Sequence, residues 1–224
     1  MVVAGYALAG NQRKMMILAG LFYIVALLLY IPFEYEYWQP VRVGKWILSV
    51  EDVMLLFILG SVPWAVVSAV FRGKMRMSFK WEILLKRYVL MGLLAVCLFL
   101  LLWFLGMQAI TASIIAQSIM SLLMLTFRFD LWPLAAAGLL IWPPVYLLML
   151  KLTFWIFPDF RFVWNMQNFW CTPILGLPLG EILWSYSGAV GYVVALGYVF
   201  NVRLTESCPI EVTNKSFYED IKDG

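Results

Sequence analysis

Six long apolar stretches restrict what this chain can fold into more than any other feature of its sequence. A helix needs about 20 predominantly apolar residues to cross a bilayer, and these stretches lie at about residues 15–33, 52–71, 88–105, 107–127, 131–157 and 180–201. The 224 residues are 64% hydrophobic and only 13% charged, which is far from the composition of a soluble domain. The sequence therefore predicts an all-α, polytopic membrane protein with about six transmembrane helices. Residues 1–205 are expected to form one helical domain, followed by a polar cytoplasmic tail over residues 206–224.

The second and sixth stretches share a pattern that indicates an internal duplication. Aligning Asp52 with Glu181 also aligns Phe57 with Tyr186, Val70 with Val199, Phe71 with Phe200 and Lys74 with Arg203. Upstream, Pro32 and Trp38 match Pro158 and Trp164 with the same spacing. We therefore expect helices one and two to resemble helices five and six, in repeat halves of about residues 15–105 and 107–205. In several duplicated transporters, the ligand site lies between the repeats.

The distribution of lysine and arginine predicts the orientation in the membrane. With the N-terminus inside, twelve of these residues lie on the inner side, six of them between Arg72 and Arg87, and four lie on the outer side. Positively charged residues concentrate in cytoplasmic loops. We therefore expect an integral protein of the cell (inner) membrane with both termini in the cytoplasm. The formal net charge of only +3 does not indicate a nucleic-acid partner.

The residues that the sequence lacks disfavour several kinds of chemistry. There is no histidine, which is the commonest metal ligand and general base. The three cysteines fall in one predicted span and on opposite sides of the membrane, so they predict neither a disulfide nor a metal framework. No glycine-rich dinucleotide fingerprint and no phosphate-binding loop occurs. We therefore expect no metal and no cofactor.

Three acidic residues lie where two of the predicted helices begin. Glu51 and Asp52 precede the second apolar stretch, and Glu181 lies one turn into the sixth. Because a carboxyl group withdrawn from water disfavours its charged form, such a group can act as a general acid, and these three residues are candidate catalytic residues. A second interpretation stays open, since the segment from Ser49 to Asp52 fits a capping box and acidic residues stabilise helix N-termini.

Aromatic residues follow Glu181 in the sixth helix. Trp184, Tyr186 and Tyr192 are candidate substrate-binding residues, because rings that line an apolar cavity attract cations. The alternative interpretation is an interfacial belt or plain packing, since aromatic residues collect where a membrane meets water. Glu34 and Glu36, near the end of the first helix, are expected to be solvated charges at the interface.

The acidic motifs resemble those of the lycopene cyclase domain family, the small membrane-embedded carotenoid cyclases. The resemblance rests on LPLGEILW at Leu177–Trp184, on SVEDVMLLF at Ser49–Phe57, and on the number and spacing of the helices. The family signature is Pro-x-Glu-Glu/Asp. In this chain Ser49 stands at the proline position of the first copy, and Gly180 stands at the first acidic position of the second.

The resemblance implies ring closure of a linear carotene end group without net redox change. Glu51, Asp52 and Glu181 would then share the roles of proton donor and acceptor. The ligand would be an apolar isoprenoid or carotenoid, and aromatic rings together with the exclusion of water would protect a carbocation from capture.

A non-catalytic role is also compatible with the sequence. Such a membrane subunit would bind lipid or pigment, or would fill an interface in a larger complex. Ser187, Gly191 and Ala195 form a line of small residues, which favours a close contact between helices. A transporter is less favoured because the spans contain few ionisable groups. The residues leave open whether the chain self-associates or joins a larger membrane complex, and membrane lipid is the partner expected in every case.

Overall fold

The computed structural model describes residues 10–39, 49–72, 74–77, 80–165 and 167–204, and most of them are helical. The α-helices are α1 Gly10–Tyr23, α2 Tyr30–Glu36, α3 Val50–Val70, α4 Trp81–Phe104, α5 Ala109–Phe127, α6 Trp132–Ile156 and α7 Leu179–Val199. Short 3-10 helices span Ile24–Leu29, Phe129–Leu131, Pro158–Val163 and Phe169–Cys171, and the two-residue strands are β1 Met75–Arg76, β2 Pro173–Ile174, β3 Leu177–Pro178 and β4 Arg203–Leu204. The predicted tail, residues 206–224, lies outside the described residues.

Within the described ranges, five helices are long and apolar enough to cross a membrane. These are α3, α4, α5, α6 together with the turn before it, and α7. The prediction of an all-α protein built from membrane-type helices is therefore confirmed. The first predicted helix, at about residues 15–33, instead runs through α1, the 3-10 helix that follows it, and α2.

The helix α4 begins seven residues before the predicted start at Tyr88, because its first two turns carry charged residues that hydropathy assigns to a loop. Arg87 illustrates how the charge is accommodated. Its Nη1 donates to the backbone oxygen of Tyr198 at 3.0 Å, and its guanidinium lies 4.9 Å from the centroid of the Tyr198 ring. The charged side chain thus holds the end of α7 against α4.

Two of the helix pairs have a glycine beside a backbone atom of the partner helix. In the pair α1 and α3, a Cβ at Gly60 would lie 2.7 Å from the backbone oxygen of Ala19. In the pair α6 and α7, a Cβ at Gly138 would lie 2.7 Å from the backbone oxygen of Ala189. Small residues allow helix backbones to approach closely in a membrane, where no difference in hydrophobicity drives helices together.

Short backbone pairings join distant segments at the two ends of the helices. At one end, Trp38 and Trp164 form an antiparallel bridge, and the backbone nitrogen of Asn165 donates to the Tyr37 oxygen at 2.9 Å. At the other end, β1 pairs with β4 in antiparallel register, with Met75 opposite Leu204. These pairings fix where the loops lie relative to the helix ends.

A tight hairpin, β2 and β3, leads into α7. Its two central residues, Leu175 and Gly176, have φ values of 53° and 78°. Positive φ at both central positions is typical of the type I′ turn that joins two-residue hairpins. The following Pro178 is the N-cap of α7, and the third residue of the helix is Glu181. The turn therefore sets the position of this carboxyl group.

Candidate ligand-binding cavity and the Glu181 cluster

Glu181 is buried, with 8% of its surface exposed. Both of its carboxyl oxygens accept hydrogen bonds. Tyr146 Oη, from α6, donates to Oε2 at 2.5 Å, and Trp164 Nε1, from the loop before α7, donates to Oε1 at 2.9 Å. Because a buried polar group without a partner is costly, these two donors explain how the carboxyl group is accommodated. They also tie α6, α7 and the intervening loop together.

The space next to Gly180 is filled by a side chain from a distant part of the chain. A Cβ at Gly180 would lie 2.6 Å from Tyr37 Oη and 3.0 Å from Tyr37 Cζ. Tyr37 is 2% exposed, and its hydroxyl has no hydrogen-bond partner of good geometry among the described residues. Burial raises the pKa of Tyr37, and the nearby Glu181 carboxyl raises it further. Tyr37 thus occupies the space that an acidic side chain at position 180 would need, which explains the glycine there.

The other two candidate acids lie in a different setting. Asp52 is 3% exposed, and its Oδ2 accepts hydrogen bonds from Ser49 N at 2.9 Å and from Ser49 Oγ at 3.1 Å, which forms a capping box at the start of α3. Glu51 is exposed. In the described part of the chain, no hydrogen bond joins Asp52 to Glu181, and the two share no partner. Glu181 is therefore hydrogen-bonded to Tyr146 and Trp164, whereas Asp52 forms a capping box with Ser49.

A cavity of about 250 Å³ lies between α1 and α4 on one side and α5 and α7 on the other. The side chains around it are mostly aliphatic or aromatic and include Leu59, Met91, Phe99, Met120, Trp142 and Leu196. For comparison, an apolar cavity of about 150 Å³ is large enough to bind benzene. The space is therefore sufficient for a hydrocarbon group of ring size.

The cavity follows from the way that four of the helices are arranged. The helices α3 and α6 pack directly against each other. Between α1 and α7, long side chains fill the interval: Tyr192 Oη donates to the backbone oxygen of Ala19 at 2.5 Å, and the rings of Tyr23 and Tyr192 meet edge to face with centroids 4.8 Å apart. The helices α4 and α5 cover the space between α1 and α7, and the cavity is the part of that space that the side chains leave unfilled.

Polar side chains are few in the cavity, and most of them are paired. Of the three tyrosines in its lining, Tyr88 donates to the backbone oxygen of Phe22 at 2.7 Å and Tyr192 donates to that of Ala19. The hydroxyl of the third, Tyr23, has no hydrogen-bond partner among the described residues.

The helix α5 brings two polar side chains to the cavity wall, Ser113 and Gln117. Gln117 Nε2 donates to Ser113 Oγ at 3.1 Å, and Gln117 Oε1 accepts from Ser187 Oγ at 2.9 Å. Since an amide nitrogen carries two hydrogens, one donor of Gln117 has no partner in these contacts.

The Glu181 cluster adjoins one end of the cavity. Ser185, one turn after Glu181, and Trp142, one turn before Tyr146, both line the cavity. The ring of Tyr146, which donates to the carboxyl group, contacts the ring of Trp184, which lines the cavity, with centroids 6.0 Å apart. Aromatic side chains therefore connect the buried carboxyl to the cavity, although Glu181 itself is not part of the lining.

The three aromatic residues predicted to bind substrate are separated by the structure. Trp184 and Tyr192 line the cavity. Tyr186 lies on another face of α7, is 39% exposed and is not part of the lining. The difference follows from helix geometry, because positions two residues apart point in directions about 200° apart on a helix with 3.6 residues per turn.

On the side of α4, the cavity lining includes a glycine that lies between two aromatic pairs. Tyr88 stacks on Phe22 with centroids 4.0 Å apart, and Phe99 stacks on Phe33 with centroids 5.9 Å apart. Between these two aromatic pairs lies Gly92, where an added Cβ would have no neighbour within 4 Å. Because Gly92 has no side chain, space remains between α4 and the helices α1 and α2.

The expectation of a solvated Glu36 is wrong. Its Oε1 accepts a hydrogen bond from Trp103 Nε1 at 2.7 Å, and its Oε2 accepts one from the backbone nitrogen of Ala109 at 2.6 Å. Ala109 is the first residue of α5, so the carboxylate stabilises the N-terminus of that helix. The partners of Glu36 lie about 70 residues further along the chain, and local sequence gives no signal for such a contact.

Sequence reasoning also missed Tyr37, Tyr146 and Trp164, which surround the Glu181 carboxyl. The signal that could have found Trp164 is its match to Trp38 in the repeat, which marks the loop before α7 as structurally important. In the described ranges, no group of three or more acidic or cysteine side chains could hold a metal ion. Comparison of the chain with protein-family models, curated proteins and solved structures found no match. The site is therefore interpreted from its own geometry.

Proposed function

We propose that this protein binds an apolar isoprenoid-type or lipid molecule inside the membrane, in the cavity between α1, α4, α5 and α7. The observation that carries the proposal is the cavity itself, which has a volume of about 250 Å³ and a mostly apolar lining. Binding sites for small molecules are typically concave and apolar, with a few polar groups that fix orientation. The helices α4, α5 and α7 are of the kind that cross a membrane, and an apolar ligand dissolves in the same layer.

We infer that the open space beside Gly92 connects the cavity to the lipid, and this would accommodate a ligand longer than the cavity. A group of ring size fills the cavity, and the remainder of a long chain can run out past Gly92 between the two aromatic pairs into the lipid. A carotenoid end group or a lipid chain has this shape. The proposal thus requires only one end of the ligand to be enclosed.

We also propose that the helix pair α1 and α3 and the helix pair α6 and α7 arose by duplication. The shift that aligns Asp52 with Glu181 also aligns Met75 with Leu204, and these two residues face each other in the β1–β4 pairing. Trp38 and Trp164, which match upstream, also pair with each other. An antiparallel pair of equivalent residues has two-fold symmetry, so both pairings support an approximate two-fold axis that relates α1 and α3 to α6 and α7.

We also infer that the end of the molecule with the β1–β4 pairing faces the cytoplasm. Arg76, Arg128 and Arg203 gather there, since Arg128 Nη2 donates to the backbone oxygen of Val202 at 2.7 Å and Arg76 pairs with Arg203. Positively charged residues mark cytoplasmic ends. In a cysteine-free background, a cysteine at Arg161 should react with an impermeant maleimide in intact cells, whereas one at Arg72 should not. The reverse pattern would overturn this orientation.

Mass spectrometry of co-purified molecules tests the binding function. The protein is purified in mild detergent, extracted with organic solvent, and compared with Gly188→Leu, which adds a side chain to the cavity wall. A control, Leu122→Phe, enlarges a side chain on α5 that is 66% exposed. We expect an apolar molecule with the wild type and the control, and at least a tenfold loss with Gly188→Leu. Equal amounts in all three, or none in a folded wild type, would contradict the proposal.

Cyclisation of an isoprenoid end group is a second candidate function, and the buried Glu181 carboxyl next to the cavity favours it. In such a reaction the carboxylic acid would transfer its proton to a terminal carbon–carbon double bond. The resulting carbocation would close a ring, and the carboxylate would then take up a proton from the ring, with no net redox change. The cavity rings and the absence of bulk water would protect the cation.

The second candidate makes its own prediction. In a host that accumulates lycopene, Glu181→Gln should abolish the cyclised pigment, because the amide has no acidic proton. Asp52→Asn should retain at least part of the activity, since Asp52 acts in a capping box. No cyclised pigment from the wild-type protein, once it is shown to be folded in the membrane, would eliminate this reaction and leave the binding function.

A further inference from the structure

The chemistry of the ligand can be narrowed from the polar groups that line the cavity, and this step rests on the proposed binding function. Three tyrosines line the cavity, and their hydroxyls differ in one respect. Tyr88 and Tyr192 use theirs to donate to backbone oxygens. Among the described residues, the Tyr23 hydroxyl has no such partner. Since Tyr23 is half-buried and lines the cavity, its hydroxyl can bond to a partner that is not part of the chain.

Gln117 adds a second polar group to the same wall. Ser187 and Ser113 use its oxygen and one of its amide hydrogens, which fixes the orientation of the amide. The remaining amide hydrogen is a donor held in place by these two contacts. A purely hydrocarbon ligand would satisfy neither this donor nor the Tyr23 hydroxyl.

We propose that the cavity selects an oxygenated apolar molecule, an isoprenoid or lipid that carries a hydroxyl or carbonyl group at the enclosed end, through Tyr23 and Gln117. A tyrosine hydroxyl both donates and accepts, and an amide nitrogen donates, so both residues can pair with a hydroxyl or carbonyl oxygen. The apolar remainder of the ligand contacts the aliphatic wall and leaves past Gly92. The hydrocarbon analogue of the same ligand would bind more weakly, because it leaves both polar groups without partners.

Direct binding of two matched probes tests this selection. Radiolabelled geranylgeraniol and the corresponding C20 hydrocarbon without the hydroxyl are titrated against the full chain in lipid nanodiscs. The contribution expected from one hydrogen bond is about 3- to 10-fold in affinity, so the wild type should prefer the alcohol by at least that factor. Tyr23→Phe, which removes only the hydroxyl, should reduce the preference by about 3- to 10-fold. Gln117→Leu should reduce it in the same direction.

Two control variants separate recognition from packing. Tyr88→Phe and Tyr192→Phe also remove a hydroxyl from the cavity lining, but these hydroxyls are bonded to the backbone. They should leave the ratio of the two affinities unchanged, even where they lower the stability of the protein. A ratio that falls equally in all three tyrosine variants would overturn the assignment to Tyr23.

The outcomes distinguish this inference from the function on which it rests. If the wild type binds the alcohol and the hydrocarbon with equal affinity, the cavity takes an apolar ligand but the polar groups hold only water, and the inference is refuted while the binding function stands. If neither probe binds to folded protein, both are refuted. A preference for the alcohol that persists in Tyr23→Phe and in Gln117→Leu also refutes the inference.

Discussion

Replacing Gly60 with alanine tests the close contact between α1 and α3 that shapes one wall of the cavity. The added Cβ would lie 2.5 Å from Tyr23 Cβ, 2.7 Å from the Ala19 oxygen and 2.9 Å from Tyr192 Oη. Two of these atoms belong to or lie next to the backbone, so the helices must separate for the methyl group to fit.

The expected cost can be worked out from three contributions. Overpacking of this kind costs about 1–3 kcal/mol. Separation of the helices also strains the hydrogen bond from Tyr192 to Ala19, and such bonds contribute about 0.6 kcal/mol in a membrane protein. Alanine in place of a helical glycine gains back about 1 kcal/mol. We therefore expect Gly60→Ala to lower the free energy of unfolding by about 0.5–2.5 kcal/mol, since the packing and hydrogen-bond costs together exceed the gain in helix propensity.

Gly92→Ala is the matched control, because Gly92 is also in the middle of a membrane-type helix but an added Cβ would have no neighbour within 4 Å. It should gain up to about 1 kcal/mol from helix propensity alone. Reversible unfolding in mixed micelles with increasing SDS measures both variants against the wild type. A Gly60→Ala protein as stable as Gly92→Ala would refute the proposed close approach of α1 and α3.

Three further predictions concern the loops and the Glu181 cluster. Burial raises the pKa of Cys171 to about 11, with a further contribution from nearby Glu181, so at pH 8 its thiol should resist a soluble maleimide until the protein is unfolded. Rapid labelling of folded protein, absent in Cys171→Ser, would contradict this. Leu175→Asn should stabilise the protein by about 0.5–1 kcal/mol, because asparagine tolerates positive φ and Leu175 is 84% exposed. Leu175→Val should destabilise it. A valine variant with a higher unfolding temperature than the asparagine variant would rule out the type I′ turn. Gly180→Ala should destabilise by about 1–3 kcal/mol through its contact with Tyr37, and by less in a Tyr37→Phe background. Additive effects in that double-mutant cycle would show that the two residues do not touch.

The five membrane-type helices were predictable from the sequence, because long apolar stretches have few alternatives in a membrane. The predictions were wrong at charged residues that find hydrogen-bond partners within the protein. The helix α4 begins at Trp81 and not near Tyr88, since Arg87 finds partners on α7 and remains helical. Glu36 is engaged with Trp103 and the start of α5, and its position near the predicted interface gave no indication of that.

The candidate site was predictable only in part, because its contacts are long-range. The motif around Glu181 identified the buried carboxyl, but its donors Tyr146 and Trp164 come from other segments. The capping interpretation explains Asp52, since Ser49 supplies both of its described hydrogen bonds. Three-dimensional proximity between these groups depends on helix packing, which no single segment encodes.

The cavity has walls of two kinds, and this has a consequence for how such a protein can change. One wall belongs to paired helices whose closest approaches, at Gly60 and Gly138, tolerate almost no added volume. The opposite wall comes from α4 and α5, where Gly92 has open space beside it. Substitutions in α4 and α5 can therefore change the shape of the cavity for a different ligand, while the packing of the paired helices stays intact.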